Sequence, residues 1–248
     1  MAERMYGHYC GLAYALDLVG ERWSLLLVRE LLTGPKRNRD LIQRLPGLGS
    51  TVLAKRLKHL TKHGLIRLER QPPPSSANAY VLTEKARALE PLLIALAQWG
   101  LAHLGPEENL MHVAPGAAIL AMQANIESDA FAGIDEVYEV RISSDVFHLR
   151  TNQGMPISAL GPAPHADCIL RADSDTFSAI LSGQVAAASA ARQGLLRLSG
   201  KPDARHRCLA LLDFAPLRQG SRLPMVDLTG SRLRRMARSP AEDASRSW

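Results

Sequence analysis

Residues 38–64 read NRDLIQRLPGLGSTVLAKRLKHLTKHG, and their pattern predicts the fold of the first part of the chain. Apolar residues recur every three or four positions on both sides of the turn PGLG. This predicts one helix over 38–45, in which Leu41, Ile42 and Leu45 face inward, and a second that Ser50 caps and Gly64 ends. The alternating segments LIRLER and AYVLT follow, joined by the turn-rich QPPPSSAN, and predict a β-hairpin. Two helices, a four-residue turn and a basic-tipped hairpin make a winged helix-turn-helix.

The second helix carries a narrow apolar stripe, Leu53, Leu57 and Leu60, opposite a broad polar face. The polar face consists of Ser50, Thr51, Lys55, Arg56, Lys58, His59 and Lys62. Such a helix suits the major groove, where its first residues reach base edges and later lysines and arginines reach phosphates. The alternative for any single lysine is an ordinary solvated helix face.

Further DNA contacts are predicted at the start of the first helix and on the wing. Arg37 and Asn38 begin a helix whose free N–H groups and dipole favour a phosphate, and Arg67 lies on the hairpin. The predicted DNA-binding set is Arg37, Asn38, Ser50, Thr51, Lys55, Arg56, Lys58, His59, Arg70, Ser75, Ser76 and Asn78. Within it, Ser50, Thr51, Lys55 and Arg56 are expected to read bases.

Helical periodicity also predicts helices over 10–19, within 21–34 and over 84–104. The last carries on one stripe Leu89, Leu92, Leu93, Leu96 and Trp99. A Gly-Pro-Glu-Glu linker follows at 105–108. We therefore predict a winged helix-turn-helix domain for DNA binding over 1–105.

The second part alternates strand and helix patterns. VYEVRIS, VFHLRTN, CILRA and LLRLS predict strands, and three helices are predicted, including one over 204–214. This order predicts an α+β domain over 110–215. The Arg- and Ser-rich remainder, 216–248, is expected to be a basic, mostly unstructured tail.

Composition and charge narrow the class of protein. The chain has 248 residues, 46% hydrophobic and 22% charged, which fits two globular domains. Residues 1–104 carry 15 Lys/Arg and 8 Asp/Glu, whereas residues 105–215 carry 8 and 13, so only the first part is expected to meet a polyanion. Three scattered cysteines and a start without an apolar segment predict a cytoplasmic protein with reduced thiols that does not bind a membrane.

The N-terminal motifs resemble those of the HxlR-type winged-helix regulators. They are C-x-x-A-x-x-L from Cys10, GERWSLLLVRELLTG over 20–34, PGLGSTVLAKRLKHL over 46–60, HGLI over 63–66, YVLT over 80–83 and the later QWG. The likeness spans about residues 8–104. It implies a homodimeric transcription factor, more often a repressor, that binds a palindromic operator and dimerises through the first and last helices of the domain.

Cys10 matches a position that some members of that family use as an oxidation sensor. A helix N-terminus favours the thiolate, so Cys10 is a candidate redox residue. The alternative is a small apolar side chain in a dimer interface.

The second part resembles, less specifically, the sterol-carrier-protein-type domain. The matching segments are ADCILRAD over 166–173, TFSAILSG over 176–183 and ARQGLLRLSG over 191–200. The likeness implies a helix-covered sheet that can enclose an apolar effector. Candidate pocket residues are Phe147, Leu149, Phe177, Ile180 and Leu181, although the same residues would line any packed core.

No catalytic motif stands out: G-x-S-x-G, H-E-x-x-H, a Walker loop and C-x-x-C are missing from the sequence. We expect a regulator that is not an enzyme and needs no cofactor or metal. One alternative is a lipid or small-molecule binding protein whose winged helix serves mainly for dimerisation or interaction. The other is a thiol-based redox sensor acting through Cys10.

Overall fold

The computed structural model describes residues 5–72, 77–103, 115–126, 131, 133–143, 145–151 and 157–214. The N-terminal module is a winged helix-turn-helix. Its elements are α1 (Gly11–Val19), α2 (Ser24–Leu32), α3 (Asn38–Arg44), α4 (Ser50–Lys62), β1 (Ile66–Arg70), β2 (Asn78–Leu82), α5 (Glu84–Arg87) and α6 (Glu90–His103).

The helix-turn-helix follows the apolar periodicity with two corrections. Leu41 and Leu45 are buried, but Ile42 is 36% exposed, because a seven-residue helix turns only a narrow stripe to the core. Ser50 is the first helical residue of α4, while the N-cap is Gly49, whose extended backbone precedes the helix. The Ser50 hydroxyl therefore lies on the outer surface of the helix start instead of capping it.

The helix predicted over 84–104 is two helices, and Pro91 gives the reason. Proline has no N–H to donate to the carbonyl of Arg87, so the helical hydrogen bonds do not continue from α5 through residue 91. The helix α5 ends at Arg87 and α6 begins at Glu90. The single predicted stripe is divided in the structure: Leu93 is buried and Leu89 is partly buried, whereas three of its residues are exposed, namely Leu92, Leu96 and Trp99.

The C-terminal module is an α+β fold. Its elements are α7 (Pro115–Ile126), β3 (Val137–Ile142), β4 (Asp145–Arg150), β5 (Ile157–Leu160), β6 (Cys168–Ala172), α8 (Ser174–Ser182), α9 (Ala187–Arg192), β7 (Arg197–Gly200) and α10 (Pro202–Ala210). The strands form one sheet in the order β5-β4-β3-β6-β7, in which β3 and β6 are parallel and the other neighbours antiparallel.

Two elements of this module, α7 and β5, were not predicted. The sequence PGAAILAMQANI of α7 is apolar on nearly all sides and shows no amphipathic stripe, because α7 is buried between other elements. It packs against α2 and α6 on one side and β4 on the other. The predicted tail at 216–248 lies outside the described residues, as does the predicted linker at 105–108.

The two modules share one continuous core. Polar contacts cross the boundary as well: Gln98 Nε2 donates to the carbonyl of Ala124 at 3.0 Å, and Gln123 Nε2 donates to Glu90 Oε1 at 2.7 Å. An ion pair between Arg44 and Asp145 ties α3 to β4. The C-terminal module is therefore packed directly on the helices that support α4.

Candidate nucleic-acid interface

The helix α4 is held from beneath by leucine. Leu53, Leu57 and Leu60 are at most 2% exposed and face α1, α3 and β1. The exposed residues of α4 are Ser50, Thr51, Val52, Ala54, Lys55, Lys58, Thr61 and Lys62. Small and hydroxyl side chains thus occupy the first turn, and lysines follow one and two turns later, which is the arrangement required of a groove-reading helix.

The turn before α4 is shaped by a glycine and an aromatic ring. Gly47 has φ +86°, a left-handed conformation that L side chains rarely adopt. The ring of Trp23 lies beside this turn, 3.7 Å from where a Cβ on Gly47 would stand. The guanidinium of Arg22 lies 5.3 Å from the centre of the same ring. This packing sets the direction in which α4 leaves the turn.

Arg56 does not lie on the outward face, and the expectation that it reads a base is corrected. It is 9% exposed, its Nε donates to the carbonyl of Arg22 at 3.0 Å, and its Nη2 pairs with Glu21. The reason is helical geometry: Arg56 stands three residues after Leu53 and four before Leu60, on the same side of α4 as both. Arg56 therefore fastens α4 to the loop between α1 and α2.

His59 is also turned away from the outward face. Its Nε2 lies 3.0 Å from the carbonyl oxygen of Leu18 at the end of α1, and the ring is half-buried. Its ring centre lies 4.5 Å from that of His63. The structure thus places His59 at the junction of α4 with α1.

At the start of α3, Asn38 is exposed and Arg37 is half-buried. The Arg37 backbone N–H donates to Asp40 Oδ2 at 2.9 Å, so a carboxylate already occupies the first turn of this helix. That charge opposes a phosphate at the helix start. The phosphate contact predicted there depends on the side chains of Arg37 and Asn38.

On the wing, Arg70 and Asn78 are exposed and directly opposite each other in the β1–β2 register. Arg67 on the same strand forms an exposed ion pair with Glu69. Ser75 and Ser76 lie outside the described residues. The structure thus brings Arg70 and Asn78 together at the end of the hairpin that leads to the tip.

Two features of other protein classes are missing from the part of the chain that the structure describes. There, no three His, Cys, Asp or Glu side chains are grouped so as to hold a metal ion. None of the helices placed in these ranges has the length and apolar character needed to cross a bilayer.

Comparison with known proteins decides the family. Residues 18–108 match the HxlR-like helix-turn-helix family, and residues 118–208 match the SCP-2 sterol transfer family. The HTH-type transcriptional regulator sll1512 of Synechocystis is 36% identical over 94 residues, which are 38% of this chain and 70% of that protein. The chain belongs to the HxlR-like helix-turn-helix family. It is a DNA-binding transcriptional regulator with an N-terminal winged helix and a C-terminal SCP2-type domain.

Another relative of this HxlR-type regulator is also described as an HTH-type transcriptional regulator. The HTH-type transcriptional regulator YodB of Bacillus subtilis is 32% identical over 85 residues, covering 34% of this chain and 76% of YodB. The solved reduced form of YodB superimposes with a TM-score of 0.35 and 28% identity over 41% of this chain and the whole of that one.

The candidate redox residue, Cys10, is exposed and directly precedes α1 at its N-cap position. Its backbone carbonyl accepts from Tyr14 N at 2.9 Å, so Cys10 is tied to the first turn of α1. Its redox role stays a prediction.

The five candidate pocket residues of this regulator lie in or against the core of the C-terminal module. Phe147, Leu149, Phe177 and Ile180 are at most 2% exposed, and Leu181 is half-buried. A surface cavity of about 280 Å³ lies elsewhere, between β7 and α10. It is lined by Leu198, Pro202, Arg205, His206 and Leu209. Effector binding by the five predicted residues stays a prediction.

Sequence reasoning missed Lys36, which is 3% exposed between α2 and α3. Its Nζ donates to Thr33 Oγ1 at 2.7 Å and to the carbonyl of Gly34 at 3.1 Å. Its backbone exchanges hydrogen bonds with Tyr80, which joins this loop to the wing. Burial, assisted by nearby Arg44, lowers the pKa of Lys36 to about 8. A lysine directly after Gly-Pro gives no sequence signal of such burial.

Proposed function

We propose that this regulator binds a palindromic operator as a homodimer and represses transcription, that a small apolar molecule bound by the C-terminal module modulates it, and that it is not an enzyme. The observation that carries the dimer is an apolar stripe left uncovered on α6. Leu92, Leu96 and Trp99 are 48%, 50% and 53% exposed and follow one another at helical spacing. A contiguous exposed apolar patch on a globular protein marks an interaction surface.

The first helix adds to this surface. Leu12, Tyr14 and Leu16 of α1 are 69%, 54% and 40% exposed. A second copy of the chain is the partner we assign to α1 and α6, because a two-fold axis would pair identical apolar surfaces. A two-fold dimer in turn presents two copies of α4 and favours an operator with two-fold symmetry, its half-sites about 34 Å apart.

The DNA side of the proposal is tested with the two exposed lysines of α4. Each of Lys55→Ala and Lys58→Ala is expected to weaken binding to the operator found by footprinting, and to reduce the slope of log affinity against log salt by about 1 for each lost phosphate contact. Arg192→Ala, which removes an exposed cationic side chain of α9 in the C-terminal module, is the control. Unchanged affinity and salt slope in both α4 variants would refute α4 as the DNA-reading helix.

Repression and effector response are tested on the full chain. A promoter carrying the footprinted operator should be less active in cells that contain the protein. Palmitate and cholesterol, added in turn to the purified protein, serve as apolar probes. An effector that distinguishes the two states of the dimer shifts operator affinity about five-fold or more. If neither probe binds and neither shifts the affinity, the apolar-effector part of the proposal fails, while the DNA-binding part stands.

A further inference from the structure

A buried polar cluster joins the two modules at the start of α6. Gln123 of α7 is 0% exposed, and its Nε2 donates to Glu90 Oε1 at 2.7 Å and to Ser158 Oγ of β5 at 3.4 Å. Glu90 is the first residue of α6 and is half-buried. The cluster therefore connects one element of the winged-helix module with two elements of the C-terminal module.

One oxygen of this cluster lacks a hydrogen-bond donor. Gln123 Oε1 is buried and accepts from no donor among the residues that the structure describes. Native proteins rarely leave a buried acceptor unpaired, because its lost hydration is then not replaced. Turning the amide over does not solve the problem, since it would place Gln123 Oε1 against the carboxylate of Glu90.

A proton on Glu90 supplies the missing donor. A carboxylic acid and a primary amide each offer one donor and one carbonyl acceptor on the same edge, so the two groups can exchange two hydrogen bonds. The bond from Gln123 Nε2 to Glu90 Oε1 at 2.7 Å is one of the two. The second requires a proton on the other carboxyl oxygen and rotation of the carboxyl group toward Gln123 Oε1.

The surroundings of Glu90 favour its neutral form. Burial raises the pKa of Glu90 and outweighs the N–H of Gln123 and the charge of Arg87 of α5, which both lower it. The sequences PGAAILAMQANI of α7 and ISAL of β5 contain no titratable side chain. On α2, which also packs on α6, Glu30 and Arg29 form an ion pair with each other.

We propose that Glu90 and Gln123 form a proton-dependent lock between the two modules. When Glu90 takes up a proton, its O–H donates to Gln123 Oε1, and two hydrogen bonds then hold α6 on α7 with no buried charge. When Glu90 releases the proton, a carboxylate remains in the boundary and Gln123 Oε1 loses its donor. The lock goes beyond the proposed function, since it needs neither a second copy of the chain nor an effector.

The lock makes the stability of the protein depend on pH in one direction. In the unfolded chain Glu90 has its ordinary pKa of 4.5, whereas its pKa in the folded protein is higher. Between these two values the folded state binds more protons than the unfolded state, so stability falls as pH rises. Below both values Glu90 is protonated in both states, and above both values the free-energy cost of the buried carboxylate is fully present.

The experiment compares the full chain with Glu90→Gln, whose amide can donate to Gln123 Oε1 at every pH. Urea unfolding is measured from about pH 5 to about pH 8. The folding equilibrium constant of Glu90→Gln, relative to that of the unsubstituted protein, should increase with pH by up to about ten-fold per pH unit until the folded-state pKa is passed. Glu84→Gln is the control, because it removes the same charge from an exposed side chain of α5, and its ratio should change little.

Infrared spectroscopy tests the hydrogen bonds of the lock. At the lower end of this pH range, the C=O band of the protonated carboxyl group is identified by its loss in Glu90→Gln. This band should move to higher frequency in Gln123→Met, because methionine has no N–H to donate to the carboxyl oxygen.

Either of two results would overturn the inference. If the stability ratio of Glu90→Gln varies with pH no more than that of Glu84→Gln, Glu90 does not take up a proton in the folded protein. If the carboxyl band of Glu90 has the same frequency in Gln123→Met as in the unsubstituted protein, the protonated carboxyl group is not hydrogen-bonded to Gln123.

Discussion

At the scale of single residues, one arginine and one lysine show how burial changes a role that charge alone predicts. Arg56 belongs to a cationic helix, yet its guanidinium is bound to Glu21 and the Arg22 carbonyl. Lys36 stands in a loop, yet it is almost completely buried. Arg56 stabilises the module through these contacts, whereas burial of the charged form of Lys36 destabilises it. Neither side chain is on the surface where it could bind DNA phosphates.

We predict that Arg56→Ala lowers the free energy of unfolding by about 1–3 kcal/mol, because it removes charge-assisted hydrogen bonds from a buried side chain. Base preference should not change. Lys55→Ala, one residue earlier and exposed, should show the opposite pattern, with normal stability and weaker DNA binding. Urea denaturation and gel shifts measure the two effects. A changed base preference with normal stability in Arg56→Ala would return Arg56 to the DNA interface.

The lowered pKa of Lys36 predicts a specific pH dependence. Its folded-state pKa of about 8 lies below the ordinary value of 10.5, so the unfolded chain binds more protons between these values and stability rises with pH there. Below pH 8 Lys36 is charged in the folded protein, and the free-energy cost of burying that charge is fully present. The stability advantage of Lys36→Met over the unsubstituted protein should therefore shrink by about 1 kcal/mol from pH 7 to pH 9. If the difference in unfolding free energy between Lys36→Met and the unsubstituted protein does not vary with pH, the lowered pKa of Lys36 is wrong.

At the scale of elements, α6 has two faces with separate tasks. Its inner face, with Leu93, Ile94 and Gln98, is buried against α7 and α2. Its outer face, with Leu92, Leu96 and Trp99, is half-exposed and apolar. The nearly uniform apolar character of α6 in the sequence is explained by one face in the core and the other available to a partner.

We predict that Leu96→Asp converts the proposed dimer to monomers while the fold is retained, because the Leu96 side chain is 50% exposed in the single chain. A charge at the centre of an apolar interface should weaken dimerisation by about 2 kcal/mol or more. Leu68→Asp on the wing is the control, since Leu68 is similarly exposed at 52% and lies away from α1 and α6. Sedimentation equilibrium is the measurement. A Leu96→Asp protein that remains dimeric would exclude α6 as the interface.

At the scale of the whole molecule, α7 makes the two modules one body. The carboxylate of Glu30 on α2 is fully buried beside Gly116, with Arg29 as its ion-pair partner. Burial also raises the pKa of Glu90 of α6, which Gln123 of α7 contacts. A change in the C-terminal module that moves α7 must therefore disturb buried polar groups of the DNA-binding module.

We predict that Gly116→Ala weakens the packing of α7 on α2. The new Cβ would stand 2.6 Å from Glu30 Oε1 and 3.2 Å from the carbonyl of Arg29, so α7 must move away from α2. The expected loss is about 1–3 kcal/mol in the free energy of unfolding. Gly100→Ala on α6 is the control, because its Cβ meets nothing within 4 Å and the substitution favours helix. Equal stability of the two variants, measured by thermal unfolding, would argue against the close packing of α7 on α2.

The sequence predicted the winged helix, its hairpin and most strands of the second module, because these elements depend on local periodicity and turn residues. Leu53, Leu57 and Leu60 specify the inner side of α4 whatever packs beneath them. The inward turn of Arg56 and the burial of Lys36 follow only from the tertiary structure. Arg56 binds Glu21 and the Arg22 carbonyl, and the backbone of Lys36 pairs with Tyr80. These partners are distant in the chain, and local spacing carries no information about them.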